Sequence, residues 1–250
     1  MGILILTFHA IDGLSAPLSF SPALFSHGLQ RLQQRGYRSL TVSEAAGALQ
    51  TGLPREERLL AITFDDGYAS VWTEAFPVLQ RLGFRATVFL NTGGAGDGGL
   101  PPMEGRARLR WPQVRALHEA GFEIGAHSVT HPDLTRLAAP DLDREMAGSR
   151  DMTEAHSGIR PVCFAYPYGY HSAPVRDAAR RHFHCACSAA LAVARPGHCL
   201  FALPRLEMHY FRTPALFNLL GSPCLGAYLR LRRGPRRLRQ ALLRAAEALS

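Results

Sequence analysis

Apolar and polar positions along the chain follow two periods. Short apolar runs, typical of buried strands, are separated by stretches in which leucine, phenylalanine and valine recur at helical spacing. Glycines and prolines mark where these stretches begin and end. The predicted strands are Ile3–His9, Tyr37–Val42, Leu59–Phe64, Arg85–Leu90, Phe122–Ala126, Pro161–Tyr166, His184–Ala189 and Leu203–His209. The predicted helices are Pro22–Arg35, Ser43–Leu49, Ala69–Leu82, Trp111–Ala120, Ala139–His156 and Ala173–Arg181.

Strands and helices alternate with short connections, which predicts an α/β fold with a parallel sheet and helices packed outside it. About seven strand–helix units in one chain favour a closed or nearly closed barrel over an open sheet. In such barrels the chemistry lies where the strands end, at their carboxyl edge. We therefore expect the functional residues to follow directly after strands.

The strand Leu59–Phe64 ends in two adjacent carboxylates and a glycine, Asp65, Asp66 and Gly67. Neighbouring strand residues point to opposite sides, so both acids approach one point only where the chain turns, and Gly67 permits such a turn. Two anions held close together repel each other unless a cation or a proton lies between them. A metal ion on one acid, with the other left free as a base, resolves this repulsion. The alternative is that Asp66 begins a surface turn or caps the next helix while Asp65 is solvated.

The strand Phe122–Ala126 is followed by two histidines, His127 and His131. They face the same side if the loop between them makes one helical turn. Two imidazoles and one carboxylate are a common ligand set for zinc and related divalent ions. A solvated loop is the alternative for this spacing, but the position at a strand end favours a metal.

The strand Pro161–Tyr166 leads into Pro167 and Tyr168. For Tyr166 we favour a packing role, in an aromatic turn made rigid by Pro167. Tyr168 lies just past the strand end, where its backbone N–H is placed to face a developing oxyanion. The candidate residues of all three stretches therefore sit at predicted strand ends.

Three stretches together carry a family resemblance: Thr63-Phe64-Asp65-Asp66-Gly67, His127-Ser128-Val129-Thr130-His131 and Tyr166-Pro167-Tyr168-Gly169. They resemble, in order, the motifs of the polysaccharide deacetylase family, also called the NodB-homology or carbohydrate esterase family 4 domain. The resemblance covers most of the chain, from about Ile3 to Met208. It implies a distorted (β/α)7 barrel of the NodB-homology type in residues 1–212, as a single domain, with a basic C-terminal helical extension in residues 213–250.

The resemblance also implies a role for each matching residue. Asp66, His127 and His131 would hold a divalent metal, with Zn²⁺ expected and Co²⁺, Ni²⁺ or Mn²⁺ as alternatives. Asp65 would stay off the metal as the general base for a water that attacks the acetamide carbonyl of an N-acetylated sugar. The backbone N–H of Tyr168 would lie beside the oxyanion.

The chain departs from the family pattern at two places. The third motif of the family usually carries an arginine that pairs with the base, and the matching position here is Ala165. We interpret this as altered tuning of the base. The family often takes its general acid from a late Leu-x-His motif, but the stretch from Leu206 to His209 has one residue too many. The chain resembles instead the permuted branch of the family, in which an early strand ends in an aromatic–histidine pair, here Phe8-His9.

We therefore predict His9 as the general acid, with His209 in reserve. A histidine at the end of the first strand is chemically suited to protonate a leaving amine. The alternative for His9 is a core histidine bonded to the backbone.

The cysteine content and the apolar runs indicate the compartment in which we expect the protein. The five cysteines are an odd number at irregular spacings and fit neither a disulfide framework nor a zinc ribbon, so we expect free thiols in a reducing compartment. No apolar run approaches the roughly 20 residues that a membrane helix needs. The apolar start Met1–Leu6 lacks a basic leading segment and a cleavage site, and we interpret it as a strand rather than a signal peptide. We expect a cytoplasmic protein.

The formal net charge of +8 is concentrated near the C-terminus. The rest of the chain is near balance, so we expect no nucleic-acid partner. We interpret the basic end either as a domain-closing helix, Arg236–Leu249, with a solvated basic face, or as a peripheral attachment to an anionic membrane on its inner face. This stretch contains seven arginines but only one acid, Glu247. The arginines are Arg230, Arg232, Arg233, Arg236, Arg237, Arg239 and Arg244.

These features predict a hydrolase that acts on carbon–nitrogen bonds other than peptide bonds, namely a carbohydrate N-deacetylase. The expected substrate is an N-acetylhexosamine-containing glycan or a lipid-linked saccharide. One alternative is a metallohydrolase that acts on another amide or an ester. The other is a catalytically weakened carbohydrate-binding relative, which Ala165 suggests.

Overall fold

A computed structural model of the protein describes residues 2–14, 16–54 and 56–232. Each strand and helix predicted within these residues corresponds to an observed element, with ends shifted by a few residues. The strands are β1 (Leu4–Phe8), β2 (Ala10–Ile11), β3 (Ser19–Phe20), β4 (Tyr37–Leu40), β5 (Arg58–Phe64), β6 (Thr87–Leu90), β7 (Glu123–Ala126), β8 (Cys163–Ala165), β9 (Cys185–Cys187) and β10 (Leu206–Glu207). The α-helices are α1 (Pro22–Gln34), α2 (Val42–Thr51), α3 (Phe76–Leu82), α4 (Trp111–Glu119), α5 (Ala139–Ser157), α6 (Ala173–His182) and α7 (Pro214–Phe217), and residues 225–232 are also helical.

Side chains that precede the helices set where these begin. Ser21 accepts a backbone hydrogen bond as the N-cap of α1, as expected from the sequence. Thr41 rather than Ser43 caps α2, and it does so in a reciprocal capping box. The helix predicted from Ala69 begins with a π-helical turn at Val71–Ala75, which leads into α3.

The strands form a parallel sheet that curls into a distorted barrel. Their order is β10, β1, β5, β6, β7, β8 and β9, and β4 pairs with the first half of β5. An isolated parallel bridge between Cys187 and Leu203 extends the pairing from β9 to the segment that leads into β10, and β10 pairs with β1. The two edges of the sheet are thereby brought together. The predicted (β/α)7 barrel is confirmed.

Alternation along the strands separates an inner from an outer apolar cluster. On β5, Leu60 and Ile62 join the cluster formed with α1, α3 and α4, whereas Leu59 and Ala61 join a second cluster inside the barrel. α2 packs against this inner cluster. Because side chains alternate with a period of two, the same series directs Asp65 inward at the end of β5.

The described part of the predicted C-terminal extension packs against the barrel helices. Phe217, Leu220, Leu225 and Leu229 are buried in the outer cluster. The boundary at residue 212 stays a prediction, and the predicted helix Arg236–Leu249 lies outside the described residues. Within the described ranges, none of the helices combines the length and the apolar character required to cross a membrane.

Candidate metal centre at the strand ends

Six residues singled out from the sequence meet in one cavity at the carboxyl ends of the barrel strands. The cavity has a volume of about 440 Å³. Strands that run parallel bring their carboxyl ends to one edge, so residues distant in sequence become neighbours here. The lining of the cavity includes all six of them: His9, Asp65, Asp66, His127, His131 and Tyr168.

Asp66, His127 and His131 form a compact set of metal-binding groups. The Asp66 Oδ1 atom lies 3.7 Å from His127 Nε2 and 3.7 Å from His131 Nε2. One ligand atom from each of the three residues lies within 4.8 Å of the others. Ligands held about 2 Å from one divalent ion are expected at about such mutual separations. The set therefore has the geometry and the nitrogen–oxygen chemistry of a divalent-metal site.

Burial makes this interpretation more specific. Asp66 and His127 are only 3% and 2% exposed. The Asp66 Oδ1 atom is buried and has no hydrogen-bond partner among the described protein atoms. A buried carboxylate oxygen without a partner is costly, and a cation between it and the two imidazoles removes that cost. The alternative of a surface turn at Asp66 is thus wrong.

The orientation of His127 is fixed by the strand next to it. Its Nδ1 atom lies 2.7 Å from the backbone carbonyl oxygen of Ala165. Since a carbonyl only accepts, Nδ1 carries a proton, and Nε2 is the ring atom that faces Asp66. Metal-binding histidines typically have such a partner on the second ring nitrogen.

His131 is held in the neutral form that a metal requires. Burial lowers its pKa to about 4, and the nearby His127 acts in the same direction. The opposite influence of Asp66 and Asp65 does not overcome these effects. The ring also packs edge-on against Tyr168, with ring centres 4.7 Å apart. Nε2 of His131 and Nε2 of His127 both lie 3.7 Å from the Asp66 Oδ1 atom.

The loop that carries the two histidines is not the helical turn expected from their spacing. Ser128 and His131 have φ angles of 64° and 59°, in the left-handed region. Glu145 of α5 accepts hydrogen bonds from the backbone of Val129 and Thr130, at 2.8 and 2.9 Å. Contacts from a distant helix therefore support a strained loop, and the histidines converge through it rather than through helical periodicity.

The turn after β5 also differs from the expectation. Both Asp66 and Gly67 have φ angles of 68°, so the left-handed conformation begins at the acid itself and not only at the glycine. Asp65 donates its backbone N–H to Phe8 at 3.0 Å. The buried side chain of Arg108 donates from Nε to the Asp66 carbonyl oxygen at 2.7 Å. Together these bonds fix the two carboxylates in different directions.

Asp65 is paired with Arg205, a residue that the sequence did not single out. The guanidinium donates from Nη1 and Nη2 to the two carboxylate oxygens at 2.7 and 2.8 Å. Both side chains are buried. Burial raises the pKa of Asp65, but the Arg205 charge outweighs it and holds that pKa well below its usual range. Arg205 therefore keeps Asp65 ionised.

This ion pair explains the alanine at position 165. Ala165 lacks the arginine expected from the family motif, and the arginine comes instead from the segment just before β10. The available signal was a charged residue within the otherwise apolar stretch from Leu203 to Leu206. That pattern predicts an inward-facing, paired charge but does not name its partner.

The two candidates for the general acid lie in different surroundings. His9 is half-buried and lines the cavity beside Asp65. His209 is exposed, and its Nδ1 lies 3.3 Å from the Pro17 carbonyl oxygen. It is not among the residues that line the cavity. The geometry favours His9.

A parallel barrel with an aspartate pair and two histidines at its strand ends is typical of the class of NodB-type barrels. The chain belongs to the polysaccharide deacetylase family: residues 52–184, more than half of the 250, match the family model. It is 27% identical over 177 residues to YxkH of Bacillus subtilis, and 32% identical over 126 residues to the peptidoglycan-N-acetylmuramic acid deacetylase PdaC of the same organism. These matches cover 71% and 47% of this chain, but only 60% of YxkH and 24% of PdaC.

Two solved structures share the fold over most of their length. The Streptococcus pyogenes deacetylase PplD, in complex with acetate, superposes with a TM-score of 0.74 at 27% identity, covering 83% of this chain and 92% of PplD. IcaB from Ammonifex degensii superposes with a TM-score of 0.76 at 25% identity, covering 88% of this chain and 96% of IcaB.

Proposed function

We propose that the protein is a metal-dependent hydrolase that removes N-acetyl groups from an N-acetylhexosamine-containing glycan or lipid-linked saccharide. The observation that carries this proposal is the contrast between two neighbouring acids. The Asp66 carboxylate has a buried, unpartnered oxygen 3.7 Å from two imidazoles, whereas both oxygens of Asp65 are bonded to Arg205. Asp66 is thus suited to bind a cation, and Asp65 is suited to accept a proton. Membership of the deacetylase family supports the same assignment.

The metal would be held by Asp66, His127 and His131. Their two nitrogens and one oxygen suit Zn²⁺, with Co²⁺, Ni²⁺ or Mn²⁺ as alternatives. When bound, a divalent ion supplies Lewis acidity and a more acidic water.

The other residues of the cavity divide the proton transfers between them. Asp65 accepts a proton from the attacking water, and Arg205 keeps Asp65 ionised and oriented for this role. The water oxygen bonds to the acetamide carbonyl carbon, and the Tyr168 backbone N–H faces the oxygen on which charge develops. His9 then donates a proton to the departing nitrogen as the carbon–nitrogen bond breaks. The products are acetate and a free amino sugar.

Acetate release from a panel of substrates tests this proposal. We expect release from a chitooligosaccharide or from a lipid-linked N-acetylhexosamine, its loss on chelation and its recovery when a divalent metal is restored. Activity on simple esters or cyclic amides alone would favour the alternative metallohydrolase. Carbohydrate binding without acetate release at any metal concentration would favour the catalytically weakened relative.

A contact with an anionic membrane and a cytoplasmic location remain predictions. The four arginines of the proposed membrane-binding helix, from Arg236 onward, lie outside the described residues.

A further inference from the structure

A second cavity, separate from the metal centre, lies between α1 and α7, and we call it the α1–α7 groove. Its volume is about 390 Å³. Its apolar lining comes from Ala23, Leu24, Pro214 and Phe217. Phe217 lies against Gly28, where any larger side chain would clash with the ring. The remaining lining residues are polar or cationic: Ser21, His27, Arg31, Arg212 and Asn218.

The groove lies where two acid-free parts of the chain pack together. The sequence contains 20 acidic residues, yet none occurs in residues 13–43 or in residues 208–246. α1 and Ser21 belong to the first stretch, and Arg212 and α7 to the second. No carboxylate therefore belongs to either segment that forms the groove, which leaves its cations without a built-in counter-charge.

The cations of the groove have unused hydrogen-bonding capacity. Arg31 is exposed, and within the described chain neither a hydrogen bond nor an ion pair engages its guanidinium. In Arg212 the Nε atom is buried and has no partner among the described atoms, and Nη2 donates to backbone carbonyl oxygens, so Nη1 is the atom available to a ligand. His27 lies one helical turn before Arg31 on the same face of α1. Two guanidinium groups next to apolar surface favour an anion that carries a hydrocarbon part.

The groove is adjacent to the active-site cavity. The Nη2 atom of Arg212 donates to the carbonyl oxygens of Ala16 and Ser19 at 2.6 Å each, and also to that of Pro17. Pro17 and Leu18 line the metal-centre cavity. A single arginine thus borders the groove on one side and holds the wall of the active site on the other.

We propose that the α1–α7 groove binds the phosphate and the first part of the hydrocarbon chain of a phosphorylated lipid. The phosphate lies between Arg31 and Arg212, and the chain lies along Leu24, Pro214 and Phe217. This lipid is the carrier end of the saccharide whose N-acetyl group enters the metal centre. The last point rests on the proposed deacetylase function, whereas the binding itself does not. A free anion would not need the apolar lining, and an uncharged lipid would not need the arginines.

Binding of octyl phosphate to the full-length protein tests the site. We expect it to bind at least about tenfold more tightly than either inorganic phosphate or octyl glucoside, because each probe lacks one of the two features. Arg31→Gln should weaken octyl phosphate binding about tenfold, the scale of one charge-assisted hydrogen bond. Arg38→Gln is the matched control, since Arg38 lies on β4 and pairs with Glu57 at 2.9 Å.

Inorganic phosphate binding as tightly as octyl phosphate would overturn the lipid assignment. Equal losses of octyl phosphate affinity in the Arg31 and Arg38 variants would show that the binding site is not in the α1–α7 groove. Arg212 is left unchanged in this test because it also holds the active-site wall.

Kinetics separate this proposal from the proposed function. We compare deacetylation of a chitooligosaccharide with and without an octyl phosphate group at its reducing end. Arg31→Gln should raise KM about tenfold for the phosphorylated substrate only, with kcat unchanged for both. An unchanged KM would show that the bound lipid is not the carrier. If the protein binds octyl phosphate tightly but deacetylates none of the substrates, the groove is still a lipid-phosphate site, and the proposed deacetylase function is wrong.

Discussion

At the scale of single residues, Asp65 and Asp66 are neighbours in sequence whose carboxylates have opposite surroundings. Asp65 is bonded at both oxygens to Arg205, while Asp66 faces two imidazoles. The left-handed φ of 68° at Asp66 separates the two directions. Their roles are therefore not interchangeable, although their chemistry is identical.

Substitution of each acid by its amide should have different consequences. Asp65→Asn should keep the metal and lower turnover by about 100-fold or more, the usual scale for a positioned acid–base group. Asp66→Asn should lower the metal content itself, because an amide oxygen is a weaker ligand than a carboxylate. Metal analysis and acetate release measure the two effects. A metal-free Asp65→Asn protein would contradict this division of roles.

Arg205 should control the pH range of activity. It holds the pKa of Asp65 low, so the base stays ionised and the ion pair stabilises the fold until the pH falls toward that lowered pKa. In Arg205→Gln the buried acid loses its cation and its pKa rises. The acidic limb of the kcat/KM profile should then move to higher pH, and neutral-pH stability should fall by about 3–5 kcal/mol.

Arg205→Lys provides the graded control for that experiment. It keeps a positive charge but not the two parallel hydrogen bonds of a guanidinium, so a smaller shift of the acidic limb is expected. Identical pH profiles for the wild type and both variants would show that Arg205 does not keep Asp65 ionised.

His9 and His209 offer a direct comparison for the general acid. His9→Ala should slow turnover with little change in metal content, because His9 lines the cavity without belonging to the metal-binding set. His209→Ala should leave both unchanged, since that side chain is exposed outside the cavity. Acetate release and metal analysis of the two variants check this. Full activity of His9→Ala would move the acid role elsewhere.

At the scale of elements, strand ends were predictable from sequence but loop geometry was not. Apolar runs that stop at Asp65 and His127 place both residues correctly. The loop after β7 depends instead on Glu145, 16 residues beyond Val129, and its left-handed residues have no local glycine to indicate them. Such conformations follow from tertiary contacts, which no sequence periodicity encodes.

Glu145 should therefore influence metal affinity without touching the metal. Oε2 of Glu145 accepts both backbone N–H bonds, and Oε1 accepts the hydroxyl of Thr130. Glu145→Gln removes the negative charge that strengthens these bonds and replaces one of the two oxygens by an NH2 group, which loosens the loop that positions His131. Outer partners of metal ligands typically contribute about 10–100-fold in affinity, and we expect the lower part of that range in a chelator competition. Glu154→Gln, on the same helix and paired with Arg160, is the matched control. Equal affinities in the two variants would contradict a positioning role.

At the scale of the whole molecule, the last described segments of the chain complete the site. Arg205 comes from the segment that joins the two edges of the sheet, 140 residues after Asp65. The sequence contains this charged residue within an apolar stretch, Leu203 to Leu206, but only the closed sheet brings it to its partner, Asp65. The next segment contains Arg212, which belongs to the acid-free stretch. Arg212 bonds to the backbone beside the active-site wall.

If the basic end of the chain is a peripheral membrane attachment rather than a domain-closing helix, it contributes binding to anionic membranes. Deleting Gly234 onward removes Arg236, Arg237, Arg239 and Arg244 together with one acid, Glu247. Each arginine near an anionic surface contributes about 1 kcal/mol, so sedimentation with anionic vesicles should fall sharply. The loss should be largest at low salt. Turnover of a soluble chitooligosaccharide should not change, because the active-site cavity is lined by residues of 9–207. Replacement of the four arginines by glutamine should reproduce the deletion if charge is responsible. Unchanged vesicle binding in both variants would leave the basic end as a solvated helix and restrict lipid contact to the α1–α7 groove.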